Sequence, residues 1–272
     1  MGTKMSGNAE RVGDSALLEG LARVGLVAYG VVHLLIGWLA LQIAWGGTSG
    51  ASADSSGALS TVAEQPFGKI LLWLVAVGMV ALALWQASEA IWGHHERMVG
   101  KRVRKQVSSG AKAVLYAALG VSAALVAVGS GSSSSQSQQE ATSGVLAWPG
   151  GQVIVVVAAL IIIGVGVAGV VKGVKKSFAE EIDTSSMSPT ARSAVARLGQ
   201  VGYIGRGLAL GVVGGLLGYA AVTFDAQQAK GLDGAMRTIL DQPFGQFLLT
   251  AVALGFVAFG LFAFLQARYR RM

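Results

Sequence analysis

Six long apolar stretches constrain this chain most, at roughly 22–45, 68–92, 111–129, 149–172, 197–223 and 245–267. A helix needs about 20 mostly apolar residues to cross the hydrocarbon core of a bilayer. The third stretch is the shortest; the others exceed that length. Runs such as Val153–Val157 would suit strands. Lipid admits only helices or closed barrels, however, and the period-two alternation of a barrel is missing. The expected fold class is all-α: a polytopic membrane protein with six transmembrane helices.

Composition agrees. Charged residues are 13% of the 272, about half the roughly 25% of soluble domains. Thirty-nine glycines against four prolines suit helices that pack closely in lipid. The pI near 9.9 raises nucleic acid as a partner. The basic residues sit in short runs beside apolar segments, where the positive-inside rule and anionic headgroups account for them. No nucleic-acid partner is expected. Cysteine is absent, which excludes disulfides, thiolate nucleophiles and zinc- or iron-thiolate sites. Residues 1–20 lack an apolar core segment, so the first helix is expected to act as an uncleaved signal.

Orientation follows from the 21 Lys and Arg. With the N-terminus inside, the outer side holds only Lys69, Lys230 and Arg237, and Arg206 lies within a helix. The remaining 17 lie in or beside the N-tail, the 93–112 loop, the 172–197 loop and the C-terminal end. That asymmetry puts both termini in the cytoplasm of a multi-pass plasma-membrane protein. Trp45, Trp92, Trp148 and Tyr269 fall near helix boundaries, as interfacial aromatics do. The stretch 129–144 reads as a flexible low-complexity tether. Leu232 to Leu240 has an amphipathic pattern that would suit the membrane surface, although a short ordered loop is the favoured reading.

The six helices form three pairs. Ala22-Arg23-Val24-Gly25 then Tyr29 matches Ala196-Arg197-Leu198-Gly199 then Tyr203, and Leu34 and Gly37 map onto Leu208 and Gly211. Tyr116 takes the tyrosine position in the middle copy. Gln65-Pro66-Phe67-Gly68 matches Gln242-Pro243-Phe244-Gly245, with Trp148-Pro149-Gly150-Gly151 between them. Proline near a first helical turn leaves no amide unmet and fixes how the chain enters the helix. The expected organisation is a tail at 1–20, repeat 1 at 21–93, a basic loop at 94–108 and repeat 2 at 109–176. A loop at 177–195, repeat 3 at 196–268 and a tail at 269–272 complete it.

These motifs resemble an actinobacterial membrane family of unknown function made of tandem two-helix repeats. The opening Ala-Arg-x-Gly-x-x-x-Tyr and the Gln-Pro-Phe-Gly of the second helix carry the resemblance, from about residue 20 to 268. It is specific in copies one and three and degraded in copy two, which lacks the arginine and the phenylalanine. The resemblance implies three repeats and six helices, and no activity.

Polar residues within membrane spans are costly and mark candidate sites. Arg206 sits nine residues into the fifth stretch, about 13 Å along it, which approaches the bilayer midplane. Its repeat counterpart is Val32, and Gly202, Gly205 and Gly207 surround it. It reads either as a counter-ion for an anionic headgroup, a quinone oxygen or a partner's carboxylate, or as a snorkelled arginine. His33 lies at similar depth, where the other copies have Gly120 and Gly207. A hydrogen bond to a neighbouring helix is favoured over a metal or haem ligand, since His94 and His95 are in a loop. Glu89 is replaced by Lys172 and Gln266 in the other copies and invites pairing with Arg23 at the membrane edge. Arg97, Lys101, Arg102, Arg104, Lys105, Lys175 and Lys176 are expected to contact anionic lipid headgroups on the cytoplasmic side.

The glycine spacings Gly25–Gly30, Gly37, Gly164-x-Gly166, Gly169–Gly173 and Gly211–Gly214–Gly215–Gly218 suit close helix contacts. No phosphate loop, nucleophile elbow or His-Glu-x-x-His is present. The sequence therefore points to a non-catalytic scaffold or accessory subunit of an inner-membrane complex, respiratory or of the cell envelope. Neither cofactor nor metal is expected, and the expected partners are membrane lipids and other membrane subunits or further copies of the chain. The alternative is a small transporter or channel for an anion or lipid, with Arg206 and His33 lining its path.

Overall fold

A computed structural model describes residues 16–46, 52–91, 99–130, 134–182 and 187–269. Among them are nine helices and no strand. They are α1 (Ala16–Ala44), α2 (Ser55–Ala63), α3 (Gly68–Ile91), α4 (Val99–Ala127) and α5 (Ser134–Leu146), then α6 (Gly151–Lys175), α7 (Pro189–Thr223), α8 (Leu232–Leu240) and α9 (Gly245–Tyr269). Six of them, α1, α3, α4, α6, α7 and α9, are long and apolar enough to cross a membrane. The short helices α2, α5 and α8 each stand before the second long helix of a pair.

The segment 129–144, expected to be a flexible tether, is mostly α5. Its composition offers little reason for a helix, and its helicity comes from packing. Val145 and Leu146 pack against a cluster that includes Val155, Ala159, Leu217 and Ala221. The Gln136 amide donates to Glu140 one turn on at 3.0 Å. Leu232–Leu240, favoured as a loop, is likewise a helix, and its own Ala235 and Met236 are buried. Two loop readings shrink as well. Residues 177–195 contain a 3₁₀ turn (Ser177–Glu181) and the first turns of α7, which Ser188 caps by accepting from the Ala191 amide. Helix α4 begins at Val99, inside the basic loop.

The proline motif forms one turn three times. The amides of Gly68, Gly151 and Gly245 donate to the carbonyls of Gln65, Trp148 and Gln242 at 2.8, 2.9 and 2.7 Å. Proline follows each acceptor, and the third residue has positive φ: 64° at Phe67, 79° at Gly150 and 59° at Phe244. That is the pattern of a type II turn, which favours glycine at its third position. Phenylalanine there costs of order 1–3 kcal/mol. A Cβ on Gly68, Gly151 or Gly245 would overlap the carbonyl of Val62, Val145 or Leu240. The fourth motif residue is therefore glycine in every copy.

The helices fall into two compact units that divide α1 between Tyr29 and Gly30. The first takes the N-terminal part of α1 with α3 and α4. Gly25 and Gly78 face each other across α1 and α3, a Cβ on Gly78 lying 3.1 Å from the Gly25 Cα. Gly120 brings α4 onto Ala76 and Val80 of α3. Tyr29 and Tyr116, the repeated tyrosines, meet edge-to-face at 5.4 Å.

The second unit takes the rest of α1 with α5 to α9 and most of α2. Helix α7 packs on α6 through Gly166 and Gly207, and on α9 through Gly205 and Gly255. Helix α9 packs on α1 through Gly30 and Gly260, where an added Cβ would lie 2.8–2.9 Å from the opposite carbonyl oxygen. Among the glycines expected at helix contacts, Gly25, Gly30, Gly37, Gly166, Gly173 and Gly214 fill that role. Gly164, Gly211 and Gly215 face open space. Val153, Ile154, Val157, Leu160 and Ile161 of α6 are exposed, an apolar face of the kind that suits lipid.

Candidate functional site

The second unit gathers three of the four residues that break the repeat around one aromatic cluster. Helix α9 presents Phe256, Phe259 and Phe262 three residues apart, on one helical face. Helix α7 presents Tyr203 and Arg206 at the same spacing. Contact is close because Gly202 has no side chain: a Cβ there would lie 2.6 Å from the Phe259 Cα. Phe178 arrives from the 3₁₀ turn after α6, where left-handed Lys176 (φ 55°) reverses the chain. Its ring occupies the space that a Cβ on Gly199 would need.

The rings form a continuous set. Phe178 stacks on Tyr203 at 5.4 Å and meets Phe262 edge-on at 5.2 Å. Tyr203 meets Phe259 edge-on at 5.2 Å. Each such pair contributes about 0.5–1.5 kcal/mol beyond its buried area.

Three nitrogen-bearing side chains use these rings. The Lys172 ammonium lies 4.8 Å above the Tyr203 ring. The Arg206 guanidinium lies 5.0 Å above Phe259. The His33 imidazole, 5% exposed, packs 4.9 Å from Phe259 and stacks on Phe256 at 5.9 Å. Cation–π contacts are worth about 0.5–1 kcal/mol when exposed and about 2 when desolvated. Arg206 and Lys172 are partly buried, which places them between those limits.

Arg206 stands at the middle of α7 (Pro189–Thr223), next to Gly205, which packs on Gly255 of α9. A Cβ on its neighbour Gly207 would lie 2.9 Å from the Val170 amide nitrogen of α6. Val170 is five residues before Lys175, about 8 Å at 1.5 Å per residue. Helical side chains tilt toward the N-terminus, so Arg206 leans back toward the Tyr203 level of α7, where Lys172 of α6 lies over the ring. His33 occupies the position of Gly120 and Gly207, which pack on α3 and α6. The imidazole fills the equivalent contact with α9.

Glu89 lies in the first unit, partly buried toward the C-terminal end of α3. One turn before it Gln86 is buried, and Glu89's counterpart Gln266 is buried in α9. Gln86 was not singled out from the sequence, and Gln266 only as the counterpart of Glu89, although each is an amide inside an apolar helix. The rings of Phe256, Phe259 and Phe262 were also missed, and Tyr203 was read only as a repeated motif residue. Their signal was the three-residue spacing of phenylalanines in α9. Lys175 and Lys176 are exposed at the end of α6. Arg97 lies outside the described residues, as do the side chains of Lys101, Arg102, Arg104 and Lys105, whose backbone belongs to α4.

A second polar cluster joins the short helices of repeats one and three within the same unit. The Ala53 amide donates to Asp233 Oδ1 at 2.8 Å, and Arg237 Nε donates to Asp233 Oδ2 at 2.9 Å. Asp54, buried, caps α2 by accepting from the Gly57 amide at 2.9 Å and the Ser56 hydroxyl at 2.6 Å. Among the described residues, no three His, Asp or Glu side chains gather as a metal ion would require.

Apolar spans, repeated turns and small-residue helix contacts define an all-α polytopic membrane protein of three tandem helical hairpins. The family model described as Domain of Unknown Function (DUF1206) matches residues 24–93, 107–176 and 201–270, one match per hairpin. The chain belongs to this family. It is 30% identical over 260 residues to an uncharacterized protein, YxxB, of Bacillus subtilis (strain 168), covering 94% of this chain and 92% of that one. No solved structure matches it.

Proposed function

We propose that this protein is a non-catalytic scaffold or accessory subunit of a plasma-membrane complex, with both termini in the cytoplasm. The observation that carries this reading is the use made of Arg206 and His33: both are packed on the Phe259 ring at a helix contact. Side chains spent on interhelical contacts hold helices together, and they are not arranged in file as a solute path requires. Lys175 and Lys176, exposed at the end of α6, support contact with anionic headgroups. The positive-inside distribution supports the orientation.

Purification in mild detergent tests the proposal. The expected result is co-isolation with other membrane subunits, or with further copies of the chain, in a fixed ratio that survives size separation. A clean monomer that carries anion flux in liposomes would overturn it. That outcome belongs to a transporter for an anion or lipid, a reading that draws on Arg206 being only partly buried.

A further inference from the structure

Among the described residues, six at the turn ends of the hairpins have left-handed backbone. Gly46, Gly129 and Phe224 lie where the first helix of each pair ends, and Phe67, Gly150 and Phe244 where the second begins. Glycine is at ease in this conformation, and phenylalanine is poorly suited to it. Three of the six are nonetheless phenylalanine. All three point outward, with 81% of Phe67, 80% of Phe244 and 63% of Phe224 exposed.

The glycines in sister copies demonstrate that these turns close without a ring. The strain is therefore not needed for the fold, and rings this exposed recover little from protein contacts. In water an exposed phenyl group adds an unfavourable hydration term to the strain. In the boundary layer of a bilayer the same ring is favoured. Continuity with the neighbouring surface agrees. Ile70 and Leu71 follow Phe67 and are exposed, as are Phe247 and Leu248 after Phe244. Trp45 and Trp148 are exposed at the same turns. The Trp45 ring meets Phe247 edge-on at 6.4 Å, and its indole donates to the Thr250 hydroxyl at 3.1 Å. Aromatic residues with one polar tip concentrate at the membrane–water interface.

We propose that Phe67, Phe224 and Phe244 are lipid anchors, inserted into the boundary between headgroups and acyl chains to fix the depth of the turn ends. The inference rests on the membrane fold and is independent of the scaffold reading.

The absence of cysteine permits a direct test. Phe67→Cys, Phe224→Cys, Phe244→Cys and, as a control on an exposed polar position, Gln227→Cys are each labelled with a nitroxide. Each is then reconstituted in phosphatidylglycerol and phosphatidylethanolamine vesicles. Collision with oxygen is compared with collision with a water-soluble nickel chelate. The oxygen-to-nickel ratio is expected to be several-fold higher at all three positions than at Gln227; a ratio equal to the control's at any of them overturns the proposal. A second arm places the label at Leu248→Cys in the Phe67→Gly/Phe244→Gly background, where glycine relieves the strain and the turns still close. Losing both rings is expected to lower the ratio at 248 about twofold as the turn rises toward water. An unchanged ratio would mean that the rings anchor nothing.

Discussion

His33 and Arg206 lean on one ring: the imidazole packs 4.9 Å from Phe259 and the guanidinium 5.0 Å above it. They come from α1 and α7, so the single ring of α9 joins three helices. Removing the ring should cost more than removing either partner. Phe259→Ala is expected to lower stability by about 3 kcal/mol, against about 1 kcal/mol for Arg206→Leu. Thermal unfolding of the purified variants in detergent measures both. Equal costs would mean that the ring is not the hub.

The glycines divide into two classes with opposite expectations. A Cβ on Gly205 or Gly255 would lie 2.7 Å from the other's Cα. Gly205→Ala and Gly255→Ala must then separate α7 from α9, at about 1–3 kcal/mol each. Gly211 faces open space within the same helix, so Gly211→Ala is expected to be neutral or to stabilise by up to about 1 kcal/mol. Comparing the three melting temperatures under one condition separates contact from composition.

The proline turn offers a pair of opposite signs at adjacent residues. Gly245→Ala sets a methyl group against the Leu240 carbonyl and should destabilise by about 2–4 kcal/mol. Phe244→Gly relieves a φ of 59° and should stabilise the detergent-solubilised protein by about 1 kcal/mol. Detergent unfolding of the two variants checks the signs.

Asp233 has two partners of unequal worth. Asp233→Ala leaves the buried Ala53 amide without its acceptor, a loss of about 1–3 kcal/mol. Arg237→Ala removes only a half-exposed ion pair, worth about 0–1 kcal/mol. Unfolding of the single variants, and of the double variant, separates the two terms.

Much of the fold was legible because lipid reduces the choices to apolar spans and their turns. Gln-Pro-Phe-Gly and Trp-Pro-Gly-Gly announced one turn repeated, since proline and the final glycine are fixed by backbone geometry rather than by neighbours. Helix α5 was not legible. Its serines and glutamines form no apolar stripe, and what holds it is the contact of Val145 and Leu146 with α6 and α7. The candidate site was half legible. Arg206 and His33 stood out as polar groups within apolar spans. Their common ring did not, because a phenylalanine in such a span carries no contrast with its surroundings.

Anion flux in liposomes, measured on the wild-type protein and on Arg206→Leu, tests most directly whether the intramembrane polar groups hold helices together. The account predicts flux no higher than in protein-free vesicles for both proteins, with a lowered melting temperature for Arg206→Leu. Flux well above the protein-free level in the wild type, abolished by Arg206→Leu with its melting temperature unchanged, would contradict it.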